Sequence, residues 1–220
     1  MPNNRNFIVF DIETSGLDPK AGAEIVQISA VALKYSDYSE IHNGKFDILL
    51  KPQRPEKASP EAINVIGEEL WNRAKSDGLH PKVALRKFKE YLDSVNQTKK
   101  FWTAPILVGF NINNFDVPFI KHELDAYKIV DINGEMPWSN LQLDLMPIMF
   151  SIFGRDGLKN NKLDSYAEVL GLARASENHD ASEDVEITRQ MFQRYMKFMN
   201  FKIRPKINSK EKNESINSNE

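Results

Sequence analysis

The sequence predicts a mixed α/β fold, and three features carry that reading. Strand-like apolar runs open the chain as a meander; helical and strand-like segments then alternate; and 41% hydrophobic residues in 220 supply a core of useful size. Residues 7–12 (FIVFDI) are a continuous apolar run, as expected of a buried strand. After a polar loop with Gly16, Pro19 and Gly22, residues 25–33 (IVQISAVAL) alternate and are rich in β-branched side chains, a second strand. Residues 44–51 (GKFDILLK) close the meander through the polar stretch Ser36–Asn43. Pro52 and Pro55 then break the chain, and Ser59 before Pro60 marks a helix start.

Further along, Val83, Leu85, Phe88, Tyr91, Leu92 and Val95 recur near a helical period. Residues 106–109 (ILVG) read as a short buried strand. Asn114–Tyr127 reads as a helix with Phe115, Phe119, Ile120 and Leu124 on one face. Residues 141–145 (LQLDL) form another strand, and 162–170 and 180–199 two further helices. Residues 1–200 are expected to form one domain. Residues 201–220 are polar and rich in Lys, Asn, Ser and Glu, which predicts a tail without regular structure.

Composition narrows the chemistry. There is no cysteine, so disulfides, thiolate metal sites and thiol catalysis are excluded. Any metal must be held by oxygen or imidazole, which favours hard ions such as magnesium or manganese. A net charge of −2 is not that of a protein that coats nucleic acid, but suits an enzyme gripping a few nucleotides through bound cations. No apolar run resembles a signal peptide or a membrane span, so a cytoplasmic protein with no membrane partner is expected.

Three short segments concentrate acids. Phe10-Asp11-Ile12-Glu13-Thr14 places two acids at i, i+2, on one face of a strand end. Two like charges so close call for a cation. Gly109-Phe110-Asn111-Ile112-Asn113-Asn114-Phe115-Asp116 follows a strand and opens a helix, with Asp116 in the first turn where the helix dipole favours negative charge. His179-Asp180-Ala181-Ser182-Glu183-Asp184 has capping-box spacing from Asp180 to Glu183. With Asp180 as N-cap, His179 and Asp184 take the two positions that meet across a helix start, so they are predicted neighbours. Taken singly, each segment has an ordinary explanation: a solvated strand end, a helix-terminal acid, a cap neighbour. Together they place four carboxylates and one imidazole at strand ends and helix starts, where α/β folds build their sites. Such a cluster suits two divalent cations about 3.5–4 Å apart that clamp a scissile phosphate.

These segments resemble the three motifs of the DEDD superfamily of 3′–5′ exonucleases, in its DnaQ-like, histidine-containing branch. FDIETSGLD is similar to the first motif, GFNINNFDVPFI to the second and HDASED to the third, in the family's order and over roughly residues 7–195. Asp144 and KLDSYAEVLGL are similar to the segment between the last two motifs. The resemblance implies a ribonuclease H-like fold with a five-stranded mixed sheet flanked by helices. It implies that Asp11, Glu13 and Asp184 hold one magnesium or manganese ion, with Asp11 bridging to a second and Asp116 assisting through water. His179 would be the general base for the attacking water, since an imidazole titrates at about 6.5. Thr14, Leu17, Asn111 and Phe115 would contact the 3′ end of a nucleic acid, single-stranded DNA before RNA, Leu17 as a wedge and Phe115 as a stacking ring. A DNA polymerase is a further candidate partner, through proofreading.

The chain departs from the family pattern at Phe110, where a polar residue is common. MPWSN (136–140) and Phe101-Trp102 have no counterpart in the pattern; they either shape a substrate groove or pack. Tyr127 and Asp131 have the spacing of the superfamily's tyrosine branch but lie too early in the chain. Two competing functions remain: a haloacid dehalogenase-type phosphatase, disfavoured because Glu13 stands where that chemistry needs Asp, and a catalytically silent binding module built on the exonuclease fold.

Overall fold

The computed structural model describes residues 5–129, 136–154, 158–172 and 179–217, the side chains of Phe101 and of 201–217 excepted. Strands β1 (Phe7–Thr14), β2 (Ile25–Leu33) and β3 (Glu40–Leu49) form the antiparallel meander. β4 (Ile106–Gly109) and β5 (Gln142–Asp144) add in parallel on the other side of β1, giving a five-stranded mixed sheet in the order β3-β2-β1-β4-β5. β3 begins four residues before its apolar run. The polar stretch enters the strand through a bulge opposite Val31–Leu33, with Asn43 in left-handed backbone at φ 56°.

Helices α1 (Pro60–Ile66), α2 (Glu68–Asp77), α3 (Pro81–Val95), α4 (Asp116–Ala126), α5 (Leu145–Phe153), α6 (Leu163–Val169) and α7 (Ala181–Asn217) cover the sheet. α1 starts as its sequence requires: the Ser59 hydroxyl accepts from Ala62 N–H at 3.0 Å, and Pro60 takes the first helical position. Strand alternation sorts β1 and β2 between two cores. Ile8, Phe10, Ile12, Ile28, Ala30 and Ala32 face a cluster with Leu85, Phe88 and Leu92 of α3 and Val117, Ile120 and Leu124 of α4. Phe7, Val9, Val31 and Leu33 face the opposite cluster, with Leu145 and Met149 of α5, Tyr166 of α6 and Val185, Met191 and Phe192 of α7. Val83, predicted on the buried stripe of α3, is exposed.

One expectation changes, and one pair of alternatives narrows. The backbone of α7 is helical as far as Asn217, so the polar stretch from 201 continues the helix, as Lys and Glu allow. MPWSN and Phe101-Trp102 sit at the N-terminal ends of β1 and β4. Ser139 N–H donates to Pro105 O at 2.8 Å, Arg5 Nε donates to Trp102 O at 2.7 Å, and Trp138 is buried in the first core. MPWSN thus follows the packing alternative through Trp138, whereas the Trp102 side chain is exposed; both lie at the end of the sheet remote from the acids of β1.

Candidate active site

The C-terminal end of β1 projects past its parallel neighbour, because β1 pairs with β4 only as far as Val9. Asp11 lies opposite Ser29 and Glu13 opposite Gln27 on β2. All four therefore face the same side as Phe7 and Val9, beneath α7. Past the end of β4 the Ile12 N–H finds another acceptor: Asp116 Oδ1, at 3.2 Å. The first residue of α4 is thereby attached to the strand tip.

The turn before α4 is shaped to deliver that acid. Gly109 permits it, since a Cβ there would stand 2.1 Å from the Ile112 side chain. Asn111 adopts left-handed backbone at φ 63°. Its N–H and that of Asn113 donate to the Asp144 carboxylate at 2.8 and 3.2 Å, while its side-chain oxygen accepts from Asn114 Nδ2 at 2.9 Å. In the sequence Asp144 is marked only by resemblance; its position at the end of β5 gives it the task of holding this turn. Phe110 packs on Tyr166 of α6, ring centroids 5.7 Å apart, which explains an apolar residue there. Phe115 is half-buried and leans on Phe119 at 5.6 Å.

In the third segment Asp180 serves as the N-cap, through the N–H of Ser182 where the capping box would use that of Glu183. Asp180 Oδ1 accepts from Ser182 N–H at 2.8 Å, and the Asp180 carbonyl accepts from Glu183 and Asp184 N–H. His179 Nδ1 lies 3.2 Å from Asp184 Oδ2. The His179 N–H donates to Val65 O of α1 at 3.0 Å, fixing the backbone of the same residue. Asp184 is buried, while the His179 side chain remains 39% exposed.

Glu13, His179 and Asp184 each offer a ligand atom within 4.8 Å of the others. Asp116 acts on Glu13 electrostatically, and Asp11 lies one pleat earlier on the same face, outside that trio. Burial, and then the charge of Asp184, push the Glu13 carboxyl up to about 8; Asp116 and Asp180 add to the shift and His179 opposes it. Burial also lifts Asp116 to about 7, against the hydrogen bonds from its own N–H and Ile12 N–H, with Asp144 and Asp184 raising it further. The donor set of carboxylates and one imidazole fits a hard divalent cation, whose charge would replace the protons these acids hold without it.

The loop following β1 is rigidly tied. Thr14 Oγ1 donates to Gly16 O at 2.7 Å, Ser15 N–H to Glu24 O at 2.8 Å and Ser59 N–H to Ser15 O at 2.8 Å. Glu24 anchors the loop by accepting from Gln53 N–H at 3.1 Å and Arg54 N–H at 2.7 Å. On this loop Leu17 is 86% exposed, an apolar side chain held out into solvent.

Residues 8–192 match the family model described as exonuclease. The chain belongs to the RNase T/DnaQ-like exonuclease family. Its relatives within that family include a PolC-type DNA polymerase III of Thermotoga petrophila, 28% identical over 89% of this chain and 12% of the relative. A DNA polymerase III subunit epsilon-like protein of Rhodobacter capsulatus is 30% identical over 86% of this chain and 23% of the relative. The 3′-5′ DNA exonuclease Cap18 of Escherichia coli is 27% identical over 84% of this chain and 89% of the relative. The chain thus spans about an eighth of the PolC-type polymerases but most of the length of Cap18. The fold matches E. coli exonuclease I, solved with a dT13 oligonucleotide, at a TM-score of 0.69 and 19% identity over 89% of this chain and 41% of that one. This is the ribonuclease H-like architecture. Membership of the exonuclease family sets the phosphatase reading aside. Asp131, part of the tyrosine-branch spacing, lies outside the described residues. Among the described residues no helix is long and apolar enough to cross a membrane.

Proposed function

We propose that the protein is a metal-dependent 3′–5′ exonuclease of the histidine-containing branch, which releases nucleoside 5′-monophosphates from the end of single-stranded DNA. The observation that carries this is the meeting of Glu13, His179 and Asp184 within 4.8 Å at the tip of β1. Asp11, Glu13, Asp116 and Asp184 are the residues that would hold the divalent cations. Two divalent cations, magnesium or manganese, would stabilise charge on the attacking and leaving oxygens of the terminal phosphodiester. His179 takes the proton of the attacking water. With Nδ1 against Asp184, Nε2 is the nitrogen that accepts it, and the ring is held in place by that pairing. Thr14 and Asn111 border the terminal nucleotide, Leu17 wedges against the last base and Phe115 supplies an edge for stacking.

DNA is preferred over RNA because the relatives named above are DNA polymerases and a DNA exonuclease. The PolC-type relatives match this chain over a small part of their length, so proofreading beside a polymerase is a natural setting. A 5′-labelled single-stranded oligonucleotide with magnesium should shorten one nucleotide at a time and stop on addition of chelator. Parallel rates on duplex DNA with a frayed end and on short RNA rank the substrates. An intact oligonucleotide under all metal conditions supports the silent binding module instead.

A further inference from the structure

Gln27 is the one polar side chain between Ile25 and Ile28 of β2, and it is buried. It lies directly opposite Glu13 in the sheet and on the same face. Its carboxamide spans three elements. Oε1 accepts the N–H of Ala181, the first residue of α7, at 3.1 Å. Nε2 donates to Asp47 Oδ1 of β3 at 3.0 Å and approaches Asp180 Oδ1 at 3.5 Å.

The first N–H groups of a helix have no partner within it, and Ala181 is fully buried, away from water. Asp180 satisfies the N–H of Ser182, and Gln27 satisfies that of Ala181. The neutral amide suits this place because it must accept from a helix N–H while donating toward carboxylates. A glutamate could only accept, and would add charge to a region already holding Glu13, Asp47, Asp180 and Asp184.

We infer that Gln27 is a positioning residue: its amide docks the start of α7 onto β2, and so sets where Asp184 and His179 stand relative to Glu13. The helix start carries both residues, and Glu13 is the sheet partner of Gln27, so a single side chain links the two halves of the site. The assignment rests on the proposed nuclease site, and a metal titration tests it separately from cleavage.

Gln27→Met keeps the side-chain length and removes the hydrogen bonds to Ala181 and Asp47. Calorimetric titration with manganese should show affinity reduced about 10–100-fold, as for other groups that orient metal ligands. kcat on a single-stranded oligonucleotide should fall in parallel, with KM unchanged within about twofold. Leu92→Ala, in the core on the far side of the sheet, should lower the melting temperature and leave manganese affinity as in wild type. Gln27→Asn, one methylene too short to span the gap, serves in the same assays if the methionine variant melts below the assay temperature. Manganese affinity within twofold of wild type in a folded Gln27 variant overturns the assignment. Wild type that binds manganese but leaves DNA intact overturns the nuclease reading alone.

Discussion

Glu13 and Glu24 are both buried acids on the first hairpin, yet the protein treats them in opposite ways. Glu24 receives two backbone N–H groups and has Arg54 Nε at 3.7 Å, so the chain itself completes its environment. Glu13 is surrounded by Asp184, Asp116 and Asp180, with His179 the favourable charge acting on it, and its carboxyl is lifted to about 8. A buried acid that the fold satisfies stiffens a loop, whereas one set among other acids is prepared for a cation. The loop that Glu24 braces is the one presenting Leu17, so the structural acid supports the working one.

The largest test of this contrast is Asp11→Ala, which should abolish stepwise cleavage, by more than about a thousandfold, while circular dichroism stays that of wild type. Next comes His179→Ala. Loss of a general base lowers kcat by about 10²–10⁴, and manganese binding should persist because the carboxylates remain. A His179→Ala variant at full rate across pH removes the residue as base.

The two glutamates should then diverge in stability. Glu24→Gln deprives Arg54 N–H or Gln53 N–H of its acceptor and should cost about 1–3 kcal/mol, read as a lower melting temperature. Glu13→Gln, without metal at pH 8, removes a charge that its neighbours disfavour and should raise the melting temperature slightly while ending cleavage. Equal destabilisation by both would erase the distinction.

The smallest effect is in pH. Glu13, Asp116 and Glu123, the last lifted by burial and by Glu24 against Arg54, have carboxyls raised to about 8, 7 and 7 from ordinary values near 4. The folded state therefore binds more protons than the unfolded chain between about pH 4 and 8. Their contribution is complete below pH 4 and is lost as pH rises through 7–8. The metal-free protein should melt at a lower temperature at pH 8 than at pH 5.5, and manganese should narrow that gap.

Much of this is legible in the residues. β2 and β4 have the bounds their β-branched runs suggest, and the contact of His179 with Asp184 follows from capping geometry alone. Two helices are not legible. α2 buries only Leu70, Trp71 and Ala74, too few for a period, and α5 is apolar almost throughout with Pro147 near its start, so no face stands out. Gln27 belongs to no motif and sits inside an apolar strand. A polar residue in a strand that is buried on both faces is the available signal, because such a side chain must find partners. The helical continuation of α7 past residue 200 runs against a composition that favours no packed core, although composition alone does not forbid a helix.

The central claim, that the acids at the tip of β1 form a cation site, is tested most directly by calorimetric titration of manganese near pH 7 in buffers of different ionisation enthalpy. Wild type should bind the ion and release protons as Glu13 and Asp116 ionise, and Glu13→Gln should bind more weakly and release fewer. An absence of manganese uptake, or uptake identical in Glu13→Gln, would contradict it.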